Sequence, residues 1–181
     1  MRKLWFALAL PLLLATAASA QRVDTREAGE KAAAKMSEMS AEEFVNKTAA
    51  ANQFEIDASK LAVDQAKKKE VKELAEALVS DHTAAAEKLK AAVRADGKLA
   101  PPQGNRLDAR HAATFDQLKA SFGDAFDRAY LEAMLTSHKE AFDRYKGYAA
   151  DGDNANLRKF AEEVASVVEQ HLIRVRGMLG P

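Results

Sequence analysis

The chain has 181 residues, with 27 basic and 27 acidic side chains, four histidines and no cysteine. Without cysteine there are no disulfides, thiolate metal sites, iron–sulfur clusters or covalently attached haem. The balanced charge leaves no basic footprint for nucleic acid. A glycine-rich nucleotide loop, a nucleophile elbow and a zinc-protease helix motif are also missing, which argues against the common hydrolases and nucleotide enzymes.

In chain order, Arg2 and Lys3 precede an apolar run over residues 4–15, broken once by Pro11, and Ala18-Ser19-Ala20 places small residues where a signal peptidase reads. This predicts a cleavable secretory leader over residues 1–20, cut between Ala20 and Gln21. The apolar run is shorter than the about 20 residues of a membrane span. No cysteine follows it for lipid attachment, and no later stretch is apolar enough to span. The expectation is an exported, periplasmic chain with at most peripheral envelope association. Losing Arg2 and Lys3 leaves 25 basic against 27 acidic residues, a net charge of −2. Residues 21–39 are polar and alanine-rich with no apolar stripe, and read as a mobile arm. A single domain is expected over residues 40–181, within a mature chain of roughly 160 residues that is long enough for one real core.

The first helix start is Ser40, whose side chain can accept from the amide three residues on, while Glu43 can reach back in a capping box. Met39 and Phe44 occupy the two positions of a hydrophobic staple across that cap. Helices are predicted over residues 41–66 and 70–96, with Lys67-Lys68-Lys69 as a polar turn and Gly97 as a C-terminal stop. Pro101, Pro102 and Gly104 exclude a helix interior there. A short helix over residues 107–121 puts Leu107, His111, Phe115 and Leu118 on one side. Gly123-Asp124 restarts the chain as a helix up to residue 150. Asp151-Gly152-Asp153 is a turn and cap, and the last helix runs to residue 178. No stretch alternates at strand period. The predicted fold is all-α: two helical hairpins joined by a connection of about 26 residues, against the usual 2–8, with a short helix of its own. This is the one-crossover four-helix bundle of ferritin-like folds.

Helical phase places three histidines on apolar stripes. His82 shares a line with Val71, Ala75, Leu78, Leu89 and Val93. His138 lies with Leu131, Met134, Ala141 and Tyr145, and His171 with Phe160, Val164, Val167, Val175 and Met178. At 1.5 Å per residue all three fall in the middle third of helices about 40 Å long. The first helix contributes Glu55, on a line with Phe44, Thr48, Ala51 and Ala62 at the edge of the core, and Asp81 beside His82 is a second carboxylate or an outer partner of the histidines. Imidazoles with a carboxylate suit one transition-metal ion, Zn, Fe, Cu or Ni before Mn. The candidate ligands are His82, His138, His171, Glu55 and Asp81. His111 reads as structural, and Tyr130, Tyr145 and Tyr148 as core edges.

The segments Leu61-Ala62, Val71-Lys72-Glu73-Leu74-Ala75 and Val79-Ser80-Asp81-His82, with Glu55 before them, carry a resemblance. So do Phe126-Asp127-Arg128-Ala129-Tyr130-Leu131, His138, Leu157-Arg158-Lys159-Phe160-Ala161 and His171-Leu172. Across residues 41–178 the chain resembles domain-of-unknown-function family 4142, bacterial envelope proteins grouped with ferritin-like folds and often labelled predicted outer membrane protein. The resemblance implies no assigned activity. That label fits poorly with a sequence lacking the alternating strands of a barrel. Di-iron ferritins carry Glu-x-x-His pairs, whereas Val79, Leu135 and Val168 stand three residues before the three histidines, which argues against a ferritin-type oxidase. Ala165-Ser166-Val167 lacks the Leu-Pro pair expected of the family at that place, so a straight last helix is expected.

The leading functional expectation is an envelope metal-binding bundle, in metal handling or stress tolerance. The alternative is a metal-free, non-catalytic helical interaction or stress protein. A metal-dependent oxidoreductase comes third, so the reading leans away from an enzyme.

Overall fold

The computed structural model describes residues 39–102 and 107–180. The predicted leader and residues 21–38 of the predicted arm lie outside them. Met39, which the sequence assigns to the arm, is buried at 9% exposure in one apolar cluster with Phe44, as the staple requires.

Five helices and no strand form among the described residues: α1 Ala41–Gln65, α2 Lys69–Asp96, α3 Ala109–Lys119, α4 Gly123–Asp151 and α5 Ala155–Leu179. Local chemistry explains their ends. The Ser40 hydroxyl accepts from the Glu43 amide at 3.2 Å, and the Glu43 carboxylate pairs with Lys47 at 2.6 Å. Asp108 caps α3 by accepting from the His111 amide. Asn154, one residue beyond the predicted Asp151-Gly152-Asp153 turn, caps α5 by accepting from Leu157 at 3.0 Å. Gly97 ends α2 at φ 71°, a left-handed conformation that costs glycine little. The last helix is unbroken, as expected.

The long helices pair as α1 with α2 and α4 with α5, and the two hairpins meet along α1–α4 and α2–α5. Direction follows from the bonds at the ends. The Lys67 and Lys68 amides, just past α1, donate to the Asp127 carboxylate near the start of α4 at 2.8 and 2.9 Å. The Ala41 amide at the other end of α1 donates to Asp153, just past α4, at 3.3 Å. Thus α1 and α4 are antiparallel. Asn154 donates to Asp96 at 2.6 Å, which joins the end of α2 to the start of α5, so these are antiparallel too. The order is up, down, down, up, and the connection between α2 and α4 must travel the length of the bundle. On this connection α3 packs on α1 and α4 and stacks His111 on Phe54, ring centres 4.7 Å apart.

Asp127 is 2% exposed, so its two amide bonds are charge-assisted and sheltered. Asp127→Ala is expected to cost about 2–4 kcal/mol, because two amides of the α1–α2 turn lose the acceptor that ties them to the second hairpin. Urea unfolding measures this as a lower midpoint at unchanged slope. A loss below about 0.5 kcal/mol would refute the clamp.

The apolar core forms two clusters. One joins Phe44, Leu89, Val93, Tyr145, Tyr148, Leu157 and Phe160. The other joins Phe54, Leu74, Leu78, Leu118, Phe126, Tyr130 and Met134. The tyrosines expected at the core edge are buried within it, 0–2% exposed. Their aromatic bodies fill volume, while the hydroxyls of Tyr130 and Tyr148 bond Ser59 at 2.9 Å and Asp153 at 2.7 Å. Val167, expected on the inner line of the last helix, is 38% exposed. Its neighbours Val164 and Val168 fill that stripe instead. Between the two clusters in chain position, on all four long helices, lies a layer of buried polar side chains.

Candidate metal centre

The layer takes Asn52 and Glu55 from α1, His82 from α2, Ser137 and His138 from α4, and His171 from α5. All are buried: His138 at 0%, Glu55 at 1%, Asn52 at 2%, His82 at 3%, Ser137 at 5% and His171 at 8% exposure. The helices carry them inward for the reason the apolar stripes predict, since each occupies a core position of its helix.

The three histidines of the separate helices converge. His138 Nε2 is 3.3 Å from His82 Nε2 and 3.3 Å from His171 Nδ1. One nitrogen from each ring lies within 4.8 Å of the other two. Two nitrogens bound to a single ion at about 2.0–2.1 Å with tetrahedral angles are roughly 3.3–3.4 Å apart, so both short separations have the spacing of ligands to one ion.

The opposite ring nitrogens are each held by an acceptor. His138 Nδ1 faces the Met134 carbonyl at 2.8 Å. His171 Nε2 faces the Asp81 carboxylate at 2.9 Å. His82 Nδ1 faces Asn52 Oδ1 at 2.9 Å and Glu55 Oε2 at 3.1 Å. Carbonyls and carboxylates only accept, so each outer nitrogen carries the proton of the neutral ring. The three inner nitrogens then present lone pairs to one another with no donor between them. Burial pushes His82 down to about 4, with Glu55 opposing it and the other histidines reinforcing it. Burial also lowers His171, against the Asp81 bond. Both rings are therefore neutral near pH 7, the form that binds metals.

Glu55 and Asp81 are placed on the outer nitrogens, away from the point where the inner ones meet. Glu55 accepts from the Ser137 hydroxyl at 2.7 Å and lies 3.5 Å from His138 Nδ1. Burial works to raise its pKa, but electrostatic coupling to His82 and His138, whose protonation Glu55 favours, together with the Ser137 bond and the Arg144 charge, outweighs it and holds it below the ordinary carboxylate value. The sequence places Glu55 at the core edge; these polar partners let it sit fully inside. Asp81 stands at the rim with its side chain 46% exposed. His111 is buried elsewhere, against Phe54 and Asp108, and is not part of the cluster.

Asn52 and Ser137 complete the layer and were not singled out from the sequence. Their signal is present: Thr48, Asn52, Glu55 and Ser59 recur on α1 at intervals of four, three and four, and all are buried. A polar line on an inner helix face marks a layer where side chains bond one another.

Comparison with known proteins adds two findings. A family model described as domain of unknown function (DUF4142) matches residues 25–178. A solved structure, CopM in the Cu(II)-bound form, superposes with a TM-score of 0.65 over 76% of this chain and 94% of its own, at 17% identity. At that identity the likeness is one of fold, a helical bundle. No curated protein matches the sequence.

Proposed function

We propose, for a chain that belongs to the DUF4142 family of unknown function, that it is an exported bundle that binds one transition-metal ion through His82 Nε2, His138 Nε2 and His171 Nδ1. The observation that carries this is the meeting of three lone pairs, two pairs of them 3.3 Å apart, in a layer shielded from water. Facing acceptors without a donor are costly in a core, and a cation at their centre turns the cost into binding. Three neutral imidazoles suit Zn, Fe, Cu or Ni, and copper(II) stands highest in intrinsic affinity. The Cu(II)-bound CopM, similar in fold, supports copper as the first ion to try. Glu55, Asp81, Asn52 and the Met134 carbonyl fix the ring tautomers from behind, and Glu55 supplies a buried negative charge toward the ion.

Export is part of the proposal. It is supported by the leader pattern of residues 1–20 and agrees with the finding that no helix among the described residues is long and apolar enough to cross a membrane. A periplasmic chain with no cysteine and one nitrogen site fits metal handling or stress tolerance better than catalysis.

The test is direct. Purified protein incubated with excess Cu(II) or Zn(II) and desalted is expected to retain close to one ion per chain by elemental analysis. Retention well under one ion for both metals would leave the histidine layer as polar packing, and the metal-free interaction protein would become the better reading.

A further inference from the structure

The three histidines are not equally enclosed. His138 has no exposed surface, and its outer nitrogen is bound to a backbone carbonyl of its own helix. His82 is held between Asn52 and Glu55, both buried. His171 has the most open side chain of the three, 10% exposed, and its outer nitrogen is held by the surface carboxylate of Asp81. That bond spans α2 and α5, the seam where one hairpin meets the other.

We propose that the Asp81–His171 pair is the latch through which metal enters and leaves, along the α2–α5 seam. The inference rests on the reading of the three histidines as ligands. An ion held by several side chains leaves as they detach one at a time, and the first to go is the one whose outer bond water can replace. Asp81 is open to water, whereas Met134 and Glu55 are buried and Asn52, at the wall of a pocket between α1 and α2, is itself only 2% exposed. With Asp81 in place, the His171 ring is held with Nδ1 inward. Without it, the ring is free to turn toward the seam and carry the ion to solvent or to an acceptor. On the opposite seam, α1–α4, buried bonds between Ser137 and Glu55 and between Ser59 and Tyr130 close the way. Asp81 is thus a positioning residue for exchange, acting through His171.

Cu(II)-loaded protein challenged with excess EDTA, with release followed by stopped-flow absorbance, tests this. Loss of an outer partner weakens metal sites about 10–100-fold, and the latch puts that factor into the release rate. Asp81→Ala, loaded at saturating Cu(II), is expected to release it about 10–100-fold faster than the unmodified chain. Asp81→Asn, which keeps an acceptor oxygen, is expected to fall between. Release from Asp81→Ala within about two-fold of the unmodified chain would overturn the latch and leave the three-histidine site intact. So would Asn52→Ala releasing faster than Asp81→Ala, which would move the exit to the α1 side. If the unmodified chain loads no Cu(II), the site itself fails, and the latch with it.

Discussion

His138→Ala is expected to drop retained metal from near one ion per chain to well under half. His138 Nε2 is the shared vertex, 3.3 Å from each of the other two nitrogens, so its removal deletes the ligand in both short pairs and leaves only the His82 and His171 nitrogens, within 4.8 Å of each other. Four-ligand structural zinc sites bind with about 10–16 kcal/mol. One ligand is then worth about 3 kcal/mol, or about 100-fold in affinity. Truncating a fully buried ring also leaves a cavity, so the metal-free variant is expected to lose a few kcal/mol of stability, about 2–4. His111→Ala separates the two effects. It removes another buried histidine, stacked on Phe54 outside the cluster, and is expected to destabilise the bundle while leaving metal retention intact. Isothermal titration of each variant with Cu(II), beside its melting curve, checks both. Full retention by His138→Ala would reject the site.

Acidification is expected to cost the metal-free bundle about 3 kcal/mol between pH 7 and pH 4. His82 titrates at about 4 in the folded chain against 6.5 unfolded, and each unit is worth about 1.36 kcal/mol. The sign follows from linkage. The unfolded chain takes up the proton first, so the stability is fully present above pH 6.5 and is lost as pH falls through 4. His171 is lowered as well and acts in the same sense. Glu55, held below 4.5, adds a further loss at the acid end. For a domain of this size the melting temperature is expected to fall by roughly 10 °C over that range. His82→Leu, which removes the buried base, is expected to flatten much of this profile. Bound metal opposes the change, because protons must first displace it from the same nitrogens, so the loaded protein is expected to hold its melting temperature to lower pH. A wild-type profile flat from pH 7 to pH 4 would contradict the burial that lowers His82.

The sequence alone determined the helices, their order and the inward faces of His82, His138 and His171. These are local matters: caps such as Ser40, breaks at Pro101 and Pro102, the stop at Gly97, and a period of 3.6 residues that assigns each position to a face. The long connection is already long enough for a crossover. Helical phase gives a direction for each side chain to within tens of degrees, which is why Val167 was placed inside and Glu55 and the tyrosines at the edge. Only the tertiary structure decided the axial register between hairpins, to which the Asp127 and Asp153 bonds contribute across α1 and α4. Register brings three rings to one level, and offsets of one turn, about 5.4 Å, would have left them apart. It also decided which ring nitrogens meet, because tautomer and rotamer depend on acceptors from other helices: Asn52 and Glu55 of α1 for His82, and Asp81 of α2 for His171. The sequence presents Glu55 as a ligand alongside the histidines, and Asp81 as a second carboxylate or an outer partner. The fold puts them behind the rings, because a side chain's partner is set by packing between helices and not by its own helix.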